Sequence, residues 1–578
     1  MPSDTTAVAR EPLLLDSDLR SGARVRPAEW LVPAAISAAL FVACAIISPK
    51  KPIWFDEVIS WTIASDPSIS HMVRALAHGA DGIPPTYYLV AQFWRSVFGN
   101  SPLSLRMLSP VGLGVGVFSA YAALRRVFTA SATGLSVVLV FCVPWIILFQ
   151  SSELRPYGMF MGLSGLALWL YTQSLGSKQV LVGLVACHAA LVLCHPFGII
   201  YSAAMWLALL AWGARTKRLP SAALIATAAG CLAILLWIVP FARLAEMAKP
   251  KLWIAVPSLQ DLLASYAFGM RAALAITAIV LLAGRMLAAK REGGVSRAER
   301  KRLLTCAAFL IPGTLLPLLS GGIASCAPVL VLAALGILAL STADQPGTTS
   351  SLPLLYVAVA LLSVPPVAFA ISRLSAPVFL GRYLLPTRYG VAVLIAGAVQ
   401  NVRWAHVLTS ARLRGFVWAT IVPIAVALPS MRSVLLSPTD VPLFGTSRRA
   451  VEALAPPIRP VVVEDPLAFL PLTADNRQPA HEYYFLLDRS AALTTPTAHP
   501  MVNFNILQVW ADYGYLSGHI LPPDEFLRTN RSFLVLHDRT SAWFELRIAH
   551  NSEYSTRSLG RAGESVLVEV RQDPGRGR

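Results

Sequence analysis

Pro84-Pro-Thr-Tyr-Tyr-Leu-Val-Ala-Gln-Phe-Trp-Arg-Ser-Val-Phe98 is the stretch on which the topology turns. It is apolar enough to suggest a membrane-crossing helix. Yet it carries Gln92 and Arg95 and runs only about 15 residues, short of the ~20 that cross ~30 Å of hydrocarbon. Read as an amphipathic surface helix, it leaves the chain on the side of the membrane where it began. Read as a span, it would invert every loop that follows.

The surrounding sequence decides between the two. A hydrophobic fraction of 55%, with only 14% charged residues and a mean hydropathy of +0.60, leaves too few polar groups to cover a soluble globule of this length. Trp30 to Ser48, Ser221 to Phe241, Leu303 to Ser320 and Leu352 to Ile371 contain no charge at all. The first follows a polar leader, residues 1–28, and is long enough to span, so it reads as an anchor and not as a cleaved signal peptide. With 84–98 on the surface, the spans run approximately 29–48, 107–124, 132–150, 157–175, 179–194, 197–213, 219–241, 263–287, 303–319, 322–341, 352–372, 386–402 and 415–430, about thirteen in all.

That choice sends Arg125-Arg126, Lys178, the Arg215/Lys217/Arg218 cluster, the seven Lys/Arg from Arg285 to Arg302, and Arg403/Arg412/Arg414 to one side, with the N-terminus. This is the positive-inside pattern. It accounts for the net charge of +17 without a nucleic-acid partner. The N-terminus is then cytoplasmic, and residues 49–106 form a first outer loop with surface helices. From about residue 431 prolines, charges and short β-rich runs appear, among them Pro460-Val-Val-Val-Glu464, Phe533-Leu-Val-Leu536 and Ser565-Val-Leu-Val-Glu-Val570, which predict a small α/β domain, 431–578, outside the cell membrane. The expected architecture is an all-α polytopic membrane protein, 29–430, carrying that domain. The seven cysteines lie in or beside apolar runs without a CxxC motif and read as small buried hydrophobes.

Four polar clusters then share the outer face. In Trp54-Phe55-Asp56-Glu57 two carboxylates follow the first span, either a general base or cation ligand at headgroup level, or a solvated loop carboxylate and helix cap. The loop continues through His71, Arg74, His78 and Asp81 to Gly82-Ile-Pro-Pro-Thr-Tyr-Tyr88, whose Tyr87 and Tyr88 serve a site or anchor the interface. Ser151-Ser-Glu-Leu-Arg-Pro-Tyr157 brings Glu153 and Arg155, a structural pair or part of a site. Cys194-His-Pro-Phe-Gly198 sets His195 in a tight outward turn, as a site residue or a satisfied packing histidine, and Gly381-Arg-Tyr-Leu-Leu-Pro-Thr-Arg-Tyr389 offers Arg382 or Arg388 to a phosphate or to lipid headgroups in general. Acidic residues, a histidine and phosphate-compatible arginines at one outer surface suit chemistry on a lipid-linked phosphate.

In order and content these motifs resemble the GT-C glycosyltransferases, specifically the bacterial branch akin to protein O-mannosyltransferases and lipid A aminoarabinose transferases. The matching pieces are Phe55-Asp56-Glu57, Asp81-Gly-Ile-Pro-Pro-Thr-Tyr-Tyr88, Glu153-Leu-Arg-Pro-Tyr157, His195-Pro-Phe-Gly198 and Arg382-Tyr-Leu-Leu-Pro386. The resemblance implies a bacterial inner-membrane enzyme that moves a sugar from a polyprenyl-phosphate donor to a glycan, lipid or protein acceptor, with inversion. It implies catalytic roles for Asp56, Glu57 and Glu153: Asp56 takes the acceptor proton, and Glu57 or Glu153 orients the acceptor or a cation. Asp81, Tyr87, Arg155, Tyr157, His195, Arg382 and Tyr383 would bind substrate. Relatives often carry a histidine where Ile83 stands, so a divalent metal ion is left open, with Glu57, His78 and His195 as the candidates. The rival class is a flippase or transporter; its ionisable groups would lie near the membrane midplane, whereas the spans here are nearly charge-free.

Overall fold

A computed structural model of the protein describes residues 25–249, most of 254–282, 297–316, 322–340, 351–400, 448–454, 459–474, 482–494, 501–537, 543–563 and 565–572. The expected span 415–430 and the basic loop 403–414 lie outside the described residues. Among the described residues five helical segments are long and apolar enough to cross a membrane: Pro27–Lys50, Pro102–Arg125, Gly198–Thr216, Ser221–Met247 and Leu352–Leu374. The chain is a membrane protein. Shorter apolar helices, Tyr157–Tyr171 and Lys178–Val192 among them, pack between these.

Against about thirteen expected spans, the described residues hold five of span length, or six if one bent pair is counted as a single span, and several expected spans are shorter apolar helices. The stretch 132–150 is broken into Ala130–Cys142 and Trp145–Ser151, bent by 65°. Pro144 stands at the break, where it can donate no backbone hydrogen bond and disfavours a helical residue before it. The bend carries the chain into the loop that holds Glu153 and Arg155.

That loop is fixed by close helix packing. Helices Leu108–Arg125 and Tyr157–Tyr171 meet backbone to backbone. A Cβ on Gly158 would lie 2.0 Å from the Ser109 carbonyl oxygen, and one on Gly162 would lie 2.5 Å from that of Gly112. Small residues let membrane helices approach so closely because lipid supplies no hydrophobic push between them. Tyr389 locks a third helix, Arg388–Val399, onto the pair by donating from its hydroxyl to the Met161 carbonyl at 2.6 Å.

Residues 49–106 fold into helices Phe55–Ala64, Ile69–Ala77, Pro85–Phe98 and Pro102–Arg106. The deciding stretch is the third of these. Its 14 residues extend roughly 21 Å at ~1.5 Å per residue, below the hydrocarbon thickness, and it is not among the span-competent helices. Tyr87, Tyr88, Ala91 and Gln92 are buried while Leu89, Phe93 and Val97 are exposed, the four-residue spacing of an amphipathic helix with one face left for an apolar surround.

The C-terminal region is α/β. Its strands are β1 (Val461–Val463), β2 (Tyr483–Leu486), β3 (Ile520–Leu521), β4 (Ser532–His537), β5 (Tyr554–Ala562) and β6 (Ser565–Gln572). They form one sheet in the order β3-β2-β1-β4-β6-β5, parallel from β3 to β4 and antiparallel beyond. The three β-rich runs read from the sequence are β1, β4 and β6. This domain shares a hydrophobic core with the helices of residues 49–106. Trp510 Nε1 donates to the Ala80 carbonyl at 3.1 Å, and the Tyr515 hydroxyl donates to Asp66 Oδ2 at 2.6 Å.

Candidate active site

Asp56 lies in the first turn of helix Phe55–Ala64, entered from an extended Trp54. Its carboxylate, 18% exposed, has Oδ2 at 3.5 Å from Arg382 Nη2 and 3.9 Å from Arg155 Nε. Two cations from distant parts of the sequence therefore flank one carboxylate that solvent still reaches.

Each cation is held from behind. Arg155 Nη1 donates to Asp81 Oδ2 at 3.1 Å, to Ser60 Oγ at 3.0 Å and to the Asp56 carbonyl at 3.1 Å. Asp81 is fixed in turn by the Tyr88 hydroxyl on Oδ2 and by the Gly82 amide on Oδ1 at 2.7 Å. Burial opposes the charge on Arg155, but Asp81 and Asp56 more than offset it and hold the guanidinium more firmly protonated than usual. The Arg382 guanidinium carbon stands 5.7 Å from the Trp54 ring, 5.9 Å from Tyr157 and 5.7 Å from Tyr383. Three ring faces at this range favour a cation. Tyr157 and Tyr383 stack at 6.4 Å between ring centres.

The other carboxylates are engaged. Glu57 is fully buried and takes Arg106 Nε on Oε1 at 2.8 Å and Arg106 Nη2 on Oε2 at 2.6 Å, while the Leu154 amide donates to Oε1 at 2.8 Å. Arg106 also donates to the carbonyls of Ser48, Lys51 and Pro52. Glu57, expected to act on acceptor or cation, is thus a brace that joins helix Phe55–Ala64 to the Glu153–Arg155 loop and aims Asp56. Glu153 is also fully buried and pairs with Lys51 Nζ at 3.0 Å. Its Oε2 has no hydrogen-bond partner among the described residues. Burial raises its carboxyl to about 7 despite the opposing pull of Lys51, whose ammonium lies 3.8 Å from the Phe149 ring centre.

His195 is buried in an aromatic box. Its ring centre is 4.8 Å from those of Phe160 and Tyr383 and 5.8 Å from that of Tyr157. Burial, with Arg155 and Arg382 nearby, depresses its pKa to about 3. Tyr87 is buried edge-on to Tyr88 at 5.2 Å, among the helices of residues 49–106. His78 lies away from the cluster, with Nδ1 near the Arg74 carbonyl at 2.8 Å and the Tyr513 hydroxyl at 2.7 Å. The three metal candidates do not come together. Both Glu57 oxygens are taken, and among the described residues no group of three or more His, Cys, Asp or Glu could hold a metal ion.

The structure therefore brings Asp56, Arg155, Tyr157, His195, Arg382 and Tyr383 together and sets Glu57, Asp81, Tyr87 and Glu153 behind them. Sequence reading missed Lys51, Ser60 and Arg106. Arg106 had a signal: a charge directly before a long apolar helix is costly unless paired. Ser60 had none.

Fold and site together define a polytopic membrane protein with a carboxylate between two arginines beside its apolar helices. No family model matches the chain, and no curated protein does. Among solved structures it is similar to ArnT from Cupriavidus metallidurans bound to undecaprenyl phosphate, at 14% identity and a TM-score of 0.42 over 94% of this chain and 98% of that one. It is also similar to the apo state of the same protein, at 13% identity and a TM-score of 0.43 over 93% and 97%. At these values the likeness sets no family for the chain.

Proposed function

We propose that the protein is a GT-C-type glycosyltransferase that transfers a sugar, with inversion, from a polyprenyl-phosphate donor to an acceptor hydroxyl at the outer face of the membrane. The observation that carries this reading is the division of labour among the carboxylates. Glu57, Asp81 and Glu153 are buried and paired with Arg106, Arg155 and Lys51, while Asp56 keeps an exposed edge between Arg155 and Arg382.

In this mechanism the acceptor oxygen attacks the anomeric carbon as Asp56 accepts its proton, and the bond from that carbon to the carrier phosphate oxygen breaks. General-base assistance of this kind contributes typically ~10² to 10⁴ in rate. The departing phosphate gains negative charge as it leaves, and Arg382 and Arg155 are fixed cations that stabilise it without reorganising. The aromatic faces around Arg382 keep its charge from being hydrated away, and Tyr383 positions the carrier.

The test is reconstitution of the full chain in liposomes with a panel of polyprenyl-phosphate sugars and extracts of envelope lipid, glycan and protein. A new glycosidic product identified by mass supports the reading. Translocation of the lipid with no glycosidic bond formed would replace the transferase with a flippase.

A further inference from the structure

The His195 ring carries an N–H for which the described residues supply no acceptor. Nδ1 accepts the backbone N–H of Phe197 at 3.2 Å, so that nitrogen is unprotonated and a neutral ring carries its proton on Nε2. Among the described residues Nε2 is buried without a hydrogen-bond partner, as are Arg155 Nε and Trp54 Nε1. His195 itself is 1% exposed. A buried donor left unmade is costly and calls for an explanation. Three such donors surround the Asp56 cluster: Trp54 and Tyr383 flank the Arg382 guanidinium, and Tyr383 lies against the His195 ring. A site with spare N–H groups and two arginines is built for an anion.

Resting on the function proposed above, we infer that His195 is a neutral, Nε2-protonated hydrogen-bond donor to the phosphate of the lipid carrier, reached when the half-buried Tyr383 ring moves aside. It neither donates a proton in the reaction nor ligates a metal. The His-Pro-Phe-Gly turn serves this purpose: the Phe197 amide fixes the tautomer, and Phe160 and Tyr157 fix the plane of the ring. The depressed basicity of the ring agrees, since burial above all, and then the two neighbouring arginines, disfavour a cationic imidazole.

Two substitutions separate this role from a packing role. His195→Asn keeps an acceptor two residues before the Phe197 amide, the geometry of an Asx turn, and deletes the Nε2 donor. His195→Gln places an amide N–H near the Nε2 position and gives up the turn acceptor. The measurement is the affinity of the full chain in nanodiscs for undecaprenyl phosphate at pH 7, with thermal stability of each variant recorded alongside. The inference predicts that His195→Asn, folded as the wild type, binds at least about tenfold more weakly, the size expected for a hydrogen bond to a charged group. It predicts that His195→Gln binds within about threefold of the wild type. Wild-type affinity should be unchanged from pH 5.5 to 8 by any ionisation that His195→Gln removes. Wild-type-like binding by His195→Asn, or equal losses in both variants, overturns the role of His195 while leaving the reading of function intact. Absence of binding by the wild-type chain overturns both.

Discussion

Replacing Glu57 by glutamine removes one charge from a buried pair and little volume, and the structure fixes what should follow. Breaking a buried ion pair by deleting one partner costs ~3–5 kcal/mol when the remaining charge is left without compensation. Here Arg106 would retain the carbonyls of Ser48, Lys51 and Pro52, and the glutamine oxygen would still accept the Leu154 amide, so about 2–3 kcal/mol is the expected loss. At ~1.4 kcal/mol per tenfold, that is roughly a 30- to 150-fold larger unfolded fraction. Large membrane proteins unfold irreversibly, so the assay is the half-time of inactivation of purified protein at a fixed elevated temperature, followed beside turnover per folded molecule at 25 °C. The expectation is a sharply shortened half-time, with turnover reduced no more than about tenfold because Asp56 is aimed less well. Unchanged stability with abolished turnover would refute the reasoning, since it would place Glu57 on the substrate.

Acid should expose His195. Its pKa is about 3 in the folded protein against ~6.5 in an unfolded chain, so between these values the unfolded state binds one more proton and stability falls as pH drops. His195→Gln should remove up to ~1.4 kcal/mol of that loss per pH unit below 6.5, seen as a flatter profile of melting temperature against pH than the wild type gives. Gly158→Ala should lower yield and thermal stability by about 1–3 kcal/mol or more, because the added methyl meets the Ser109 carbonyl; a variant as stable as the wild type would contradict the packing of Leu108–Arg125 on Tyr157–Tyr171. Tyr515→Phe removes a donor from Asp66, whose carboxyl is held below its usual range by hydrogen bonds from Tyr515 and His71 that outweigh its burial. The expected cost is ~1–3 kcal/mol, read as faster proteolytic release of the C-terminal domain.

The apolar, helical character of the chain and its C-terminal strands were legible, whereas the count of about thirteen spans was not, since five or six segments among the described residues have span length and composition. The demotion of Pro84–Phe98 agrees with the 14-residue amphipathic helix found there, and the runs at Val461, Phe533 and Ser565 are strands of one sheet. The break at Pro144 was less visible, since a single proline in an apolar run can be absorbed by neighbouring helices. At the site, periodicity and composition located the carboxylates but could not rank them. Asp56 and Glu57 are adjacent, and which one is braced by Arg106 depends on a helix turn that points them apart. The partners Lys51 and Ser60 were not legible for the same reason: their importance comes from where the chain returns. The docking of Tyr513 and Tyr515 beside His71 and His78 likewise joins residues more than four hundred positions apart.

The central claim is that Asp56 takes the acceptor proton between Arg155 and Arg382. Its most direct test compares wild type and Asp56→Asn, each reconstituted at equal folded amount, for formation of the glycosidic product from a polyprenyl-phosphate sugar. The account predicts a fall of about 10² to 10⁴ in the rate of product formation with unchanged melting temperature and retained binding of the lipid phosphate. Product formed by Asp56→Asn at the wild-type rate would contradict it.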